Sequence, residues 1–138
     1  MLRRRSVATM VAVCMAGLST SAAVAAETSL SVKSATFLDS ARVAANGTIT
    51  CPAGDLYRVD GTLTQTTGGS TVTANGSDDD RVCTGQSQPF TLDLFASQDT
   101  GLRRGHASLA LSVYVYDCSS GICELAEQVD YRHPVRVS

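Results

Sequence analysis

A chain of 138 residues with 11 basic and 13 acidic side chains, a formal net charge of −2 and no tryptophan has room for one globular domain. Beyond the arginines at positions 3 to 5 its cations are scattered, with Arg103 and Arg104 the only adjacent pair, so no basic stripe exists to track phosphates and nucleic acid is excluded as a partner. No apolar run approaches the roughly 20 residues that a membrane-spanning helix needs.

Residues 1–26 have the layout of a secretory signal peptide: Arg3, Arg4 and Arg5, an apolar run from Val7 to Leu18, then small residues ending Ala23-Val24-Ala25-Ala26. Cleavage is expected near Ala25 or Ala26. Val13 stands before Cys14 where a lipid-attachment signal needs a small residue, so Cys14 is expected to leave with the signal. What remains, residues 27–138, is a single domain with 13 acidic and only 8 of the 11 basic residues, a net charge of −5. The protein is accordingly expected outside the cell, free or loosely associated with the cell wall, with no transmembrane segment.

The first strand is expected over residues 30–38, as an edge. Residues 41–45 continue extended, and Asn46-Gly47 predicts a type I′ hairpin turn, because both residues accept the positive φ that such a turn demands. Thr48-Ile49-Thr50-Cys51 leads out of it as the next strand. Pro52-Ala53-Gly54-Asp55 is a turn cluster, and residues 56–66 follow with Tyr57, Val59 and Leu63 on one face. After Gly68-Gly69 a Thr-rich strand covers residues 70–77 and ends at Asp78-Asp79-Asp80. A short strand over residues 81–84 holds Cys83, another over 88–96 alternates Phe90, Leu92 and Leu94 against Thr91, Asp93 and Phe95, and residues 97–105 form a polar loop.

The longest alternating stretch is 106–137. Along its first arm Ala107, Leu109, Leu111, Val113 and Val115 share one face, with Tyr114 and Tyr116 on the other, the period-two signature of a half-buried strand. After Cys118-Ser119-Ser120-Gly121-Ile122-Cys123 the second arm places Leu125, Val129, Tyr131, Val135 and Val137 on one face. A hairpin is expected. Strict alternation sets Glu127 among those apolar residues, and a β-bulge after Cys123 or an edge position accounts for it. Eight or nine short strands at roughly ten-residue spacing with no helical period define an all-β chain, expected as an immunoglobulin-like antiparallel β-sandwich of two sheets.

Four cysteines remain after the signal, and an even number in an exported chain reads as disulfides. Of the three possible pairings, Cys51 with Cys83 ties two separate strands and Cys118 with Cys123 closes a loop of four intervening residues, and these are expected. The spacings lack the paired close cysteines of a zinc site.

Cys51-Pro52-Ala53-Gly54, Leu63-Thr64-Gln65 with Gly68-Gly69, Val82-Cys83-Thr84-Gly85, Arg104-Gly105-His106-Ala107 and the paired Cys118 and Cys123 resemble small secreted actinobacterial proteins of unassigned function, over nearly the whole chain after residue 26. That resemblance implies a secreted, disulfide-bonded sandwich and no particular activity. Asp117-Cys118-Ser119-Ser120-Gly121-Ile122-Cys123 is also similar to the cysteine loop near the ligand cleft of the enediyne chromoprotein apoproteins, the neocarzinostatin-like family, which implies a carrier of a small apolar ligand. The other cysteine pair is spaced far more widely here than in that family.

No enzymatic activity is expected. Serine-type hydrolysis has only His106 and His133 for a base and no Gly-x-Ser-x-Gly elbow, so no catalytic residue is nominated. Asp78-Asp79-Asp80 lacks the spacing of a calcium loop and reads as a solvated turn, so neither a metal nor a cofactor is expected. Asn46-Gly47-Thr48 and Asn75-Gly76-Ser77 match the glycosylation triplet, but turn formation explains each without a sugar. The remaining candidate is a recognition patch of Tyr114, Tyr116 and Ile122 beside the cysteine loop. The expected function is thus a non-enzymatic binding or cell-envelope-associated module for a protein, glycan or small-molecule partner. The alternatives are an apolar-ligand carrier and a protease inhibitor presenting Leu102, Arg103 or Arg104.

Overall fold

Alternation of apolar and polar side chains produces eight strands in a computed structural model that describes residues 27–97 and 101–138. They are β1 (Ser29–Asp39), β2 (Arg42–Thr50), β3 (Leu56–Thr67), β4 (Ser70–Ser77), β5 (Arg81–Val82), β6 (Gln88–Ala96), β7 (Gly105–Asp117) and β8 (Glu124–Val137). There is no helix among the described residues, so the all-β expectation holds. The signal peptide expected over residues 1–26, with Cys14, lies outside the described residues, as does the middle of the loop expected over 97–105.

All eight strands belong to one sheet in the order β4-β6-β2-β1-β8-β7-β3-β5, and a further β3–β4 ladder closes seven of them into a barrel. Closure removes most of the free sheet edge that an open sheet would expose. Two of the seams are thin. β1 meets β8 in parallel only at Ala35 and Val137, with Phe37 N–H donating to the Ser138 carbonyl (2.8 Å) and Ser138 N–H to the Ala35 carbonyl (3.0 Å). β4 meets β6 only at Ala74–Ala96 and Asn75–Phe95. Between these seams lie two broad faces, β1-β2-β6 and β8-β7-β3-β4, with β5 continuing the edge of β3 where β4 has left it.

The inward side chains of both faces meet in a single core. Val43, Ala45, Ile49, Leu92 and Leu94 come from one face, and Tyr57, Val59, Leu63, Leu109, Leu111, Val113 and Val115 from the other. Each fully buried Val, Leu or Ile contributes about 1.5–3 kcal/mol relative to exposure, and this apolar area drives the fold. The β7 face assignment read from the sequence matches this core residue for residue.

The expected turn at Asn46-Gly47 is not there. β2 runs unbroken through it, pairing Gly47 with Val32 on one side and Phe90 on the other, and the chain reverses instead at Ser40-Ala41, where Ala41 N–H bonds the Asp39 carboxylate (2.8 Å). The physical reason is close approach: a Cβ on Gly47 would run into the Ser31 carbonyl oxygen and stand 2.8 Å from the Phe90 ring. Asn46 supports the same strand pairing from outside, accepting a hydrogen bond from Thr91 Oγ1 (2.9 Å) and donating to Ser34 Oγ (3.3 Å). Asn75-Gly76 likewise lies within β4, Asn75 accepting from Thr62 Oγ1 (2.9 Å). A two-residue hairpin turn with positive φ at both residues (57° and 84°) is found at Gly68-Gly69, between β3 and β4.

Both expected disulfides are present. Cys51, just past β2, is joined to Cys83, just past β5, and both are buried in the core, so this bond staples one barrel face to the other. Backbone bonds flank it, Gly54 N–H to the Cys83 carbonyl (2.9 Å) and Cys83 N–H to the Asp55 carbonyl (2.7 Å). Cys118–Cys123 closes the β7–β8 connection at the surface.

Candidate recognition face

Strand register decides which outward side chains become neighbours, because residues directly opposite in a ladder have their Cβ atoms about 5 Å apart on the same face. Val82 of β5 pairs with Leu56 of β3, Leu56 with Tyr116 of β7, and Tyr116 with Leu125 of β8. These four side chains form one apolar row across four strands on the outer side of the barrel. The row is open to solvent: Val82 is 60% and Leu125 54% exposed, with Leu56 and Tyr116 half-buried between them.

Leu125 joins this row through a correction to the sequence reading, which set it on the core side. Val115 pairs with Glu127 but Tyr116 with Leu125, so Ala126 is an extra residue on β8. A bulge after Cys123 was expected from Glu127, but the one present leaves Glu127 in register and reverses the alternation of everything between it and Cys123 instead. Leu125 therefore points outward, and Glu127 keeps the inward register of Val129, Tyr131 and Val135 without being buried.

The second row along the strands is Arg58–Tyr114–Gln128 and the third Asp60–Ser112–Asp130. Polar bonds knit these together: Arg58 Nε to Asp60 Oδ1 (3.0 Å), Ser77 Oγ to Asp60 (2.7 Å), Ser112 Oγ to Asp130 (2.8 Å) and Gln128 Nε2 to Asp130 (3.1 Å). The hydrogen bonds from Gln128 and Ser112 hold the Asp130 carboxyl below the usual aspartate range. Tyr114 and Tyr116 thus share the outer face, one row apart. Ile122 is 71% exposed in the cysteine loop that continues from the end of the apolar row. A hollow of about 210 Å³ lies at the centre, lined by Leu56, Arg58, Asp80, Tyr116 and Cys123.

The opposite face, β1-β2-β6, is polar along its middle, with Ser34, Thr36, Asn46 and Thr91 joined by hydrogen bonds. The other exposed large apolar side chains, Leu38 and Phe95, lie away from the row, on β1 and β6.

Besides Leu125, which was set on the core side, two contributors were missed in the sequence. Val82 belonged to a two-residue strand with no alternation to read, and Leu56 to the first position of a strand whose inward set began at Tyr57. Neither has a local signal, because only the non-local pairing of β3 with β5 and β7 unites them.

The chain from Gly101 to Gly105 is tied down. Leu102 is buried, and the buried Gln65 side chain clamps the neighbouring backbone, donating to the Arg103 carbonyl (2.7 Å) and accepting from Arg103 N–H (3.0 Å). The Arg104 guanidinium lies 4.7 Å over the Phe37 ring. Of the three residues considered for presentation to a protease, Leu102 is therefore inside the protein, while Arg103 and Arg104 are exposed. His106 and His133 occupy exposed strand positions on β7 and β8, His133 with its ring 4.6 Å from that of Tyr131. Asp78 is paired with Arg81 (2.8 Å), and no group of three potential metal ligands occurs among the described residues. Tyr57 has its hydroxyl buried without a partner among the described residues, and burial pushes its phenol pKa up.

No protein-family model matches the chain, and no curated protein matches it significantly. Among solved structures it is similar to that of the sporulation control protein Spo0M from Bacillus subtilis, at 9% identity and a TM-score of 0.33, covering 83% of this chain and 49% of that one. The chain thus spans about half the length of that structure, and a likeness at this level carries no argument about function. No helix among the described residues is long and apolar enough to cross a membrane.

Proposed function

We propose that the protein is an exported, non-enzymatic binding module, free outside the cell or loosely held at its envelope, that recognises another protein through the outer face of β3, β5, β7 and β8. The apolar row Val82–Leu56–Tyr116–Leu125 carries this reading. A contiguous exposed apolar row marks an interaction site, and Tyr116 at its centre is of the residue type that dominates binding hot spots. Two disulfides fit an oxidising compartment. The strand order supports an immunoglobulin-like sandwich within the barrel: β1-β2-β6 and β8-β7-β3-β4 take the places of strands A, B, E and G, F, C, C′ in that architecture, and the seams between them are thin. The small-ligand carrier suggested by the cysteine loop is less well supported, because a hollow of about 210 Å³ is smaller than the roughly 300–1,000 Å³ of sites for drug-sized molecules.

The test compares the purified protein with its Tyr116→Ser variant as bait against culture medium and envelope extract of the producing cells. A protein retained by the wild type and lost with the variant, both giving the same circular dichroism, supports the reading. Identical retention by both baits refutes it.

A further inference from the structure

Resting on the outer-face reading, we infer that the protein's partner presents a cationic segment in which an aliphatic or aromatic side chain is flanked by Lys or Arg. The apolar row is bordered by carboxylates on two sides. Asp55, Asp117 and Glu124 each stand one residue beyond Leu56, Tyr116 and Leu125 on three adjacent strands, and Asp117 and Glu124 are directly paired. Alternation turns these three away from the outer face, but the strands end here, so they rim the sheet instead of entering the core; Asp117 and Glu124 are exposed and Asp55 half-buried. Burial, and then the charge of Asp117, push the Asp55 carboxyl pKa up. On the β5 side stand Asp78, Asp79 and Asp80, and Asp80 lines the same hollow as Leu56 and Tyr116.

The cations nearest this rim are already committed. Arg58 is bonded to Asp60 (3.0 Å) and Arg81 to Asp78 (2.8 Å). Among the described residues Asp55, Asp79, Asp80, Asp117 and Glu124 are in no ion pair, so five carboxylates without a cationic partner border one apolar row. Asp117 and Glu124 are directly opposite on paired strands, an unfavourable placement for like charges, and Asp117 is kept charged there by the Ser119 N–H, which bonds it (2.9 Å) and holds its pKa down. A partner that seats an apolar side chain on Tyr116 and places a cation at either border fills the row and relieves the repulsion at once. An acidic or neutral partner would have to desolvate the same carboxylates without compensation. Charge complementarity therefore selects among possible proteins, and it steers their approach at low ionic strength.

A random 12-residue peptide library displayed on phage and panned on the disulfide-bonded protein tests this. The inference expects enriched sequences that combine two or more Lys or Arg with a Phe, Trp, Tyr or Leu. A synthetic peptide of the enriched type should bind at least tenfold more weakly to Tyr116→Ser. It should bind several-fold more weakly to the Asp117→Asn, Glu124→Gln double variant, which removes charge while sparing the fold, and more weakly in 300 mM than in 50 mM salt. Enriched peptides without basic residues that still depend on Tyr116 overturn the cationic partner and leave the outer face standing. Peptides indifferent to Tyr116→Ser, or no enrichment at all, overturn both.

Discussion

The two disulfides do unequal work, and the difference can be measured. Cys51 and Cys83 are 32 residues apart and Cys118 and Cys123 only 5. On the loop-entropy relation these separations correspond to about 3.7 and about 2.1 kcal/mol of destabilisation of the unfolded chain. Burial widens the gap, since Cys51 and Cys83 are inside the core and their replacement by Ala also removes packed sulfur, whereas the second bond lies at the surface. The Cys51→Ala, Cys83→Ala variant should therefore lose about 4 kcal/mol or more, which for a domain of this size lowers Tm by roughly 15 °C or more. The Cys118→Ala, Cys123→Ala variant should lose about 2 kcal/mol or less, roughly 8 °C. Urea unfolding followed by circular dichroism, with thermal melts as a second readout, gives both values. Equal losses, or a larger loss from the surface pair, would refute the assignment of the buried bond as the staple between the barrel faces.

Replacing Gly47 by Ala should destabilise the protein by about 2 kcal/mol or more in the same urea assay, because the new methyl meets the Ser31 backbone carbonyl, fixed in the β1–β2 ladder, and the Phe90 ring, packed in the core. Gln65→Ala should loosen the chain at Arg103 by about 1–3 kcal/mol by leaving backbone groups unsatisfied. Trypsin cleavage after Arg103 or Arg104 should then accelerate about tenfold or more, with urea unfolding showing the same loss of about 1–3 kcal/mol, as read by gel, mass spectrometry and circular dichroism. Asp130 has its folded pKa lowered, so its contribution to stability is fully present above the ordinary aspartate pKa and is lost as the pH falls through the lower folded value. Asp130→Asn should accordingly be less stable than wild type near neutrality and match it more closely in acid, once the pH has fallen through the lowered folded value; parallel stability–pH curves for the two proteins would contradict this.

Period-two alternation made β3, β4, β6 and β7 legible, since each carries a continuous inward set such as Ala107 to Val115, and the hydrophobic effect enforces that pattern locally. Cysteine spacing was legible for a similar reason, because closing a short loop and linking two strands are constraints along the chain. Asn46-Gly47 misled because one dipeptide satisfies two different physical demands. Its glycine serves a turn through positive φ or a strand through close approach, and only the presence of Phe90 and Ser31 decides between them. The extra residue at Ala126 was anticipated from Glu127, but its consequence for Leu125 was not, as a bulge has no fixed position in sequence. Barrel closure was illegible for a deeper reason: the β1–β8 and β4–β6 pairings join distant segments by backbone bonds that no side chain encodes. The candidate site suffered most from this. Tyr116 and Ile122 could be nominated from one hairpin, yet the row that Tyr116 belongs to also needs β5 and β3, and the clamp from Gln65 to Arg103 spans 38 residues.

The most direct measurement on the recognition face is site-specific photo-cross-linking. The protein carries benzoylphenylalanine at position 116 in one preparation and, as a control, at the exposed position 91 on the polar face in another, and each is irradiated in the medium and envelope fraction of the producing cells. A discrete cross-linked protein from position 116 and none from position 91 is the predicted result. Equal cross-linking from both positions, or a discrete adduct from position 91 alone, would contradict a recognition surface built on Val82, Leu56, Tyr116 and Leu125.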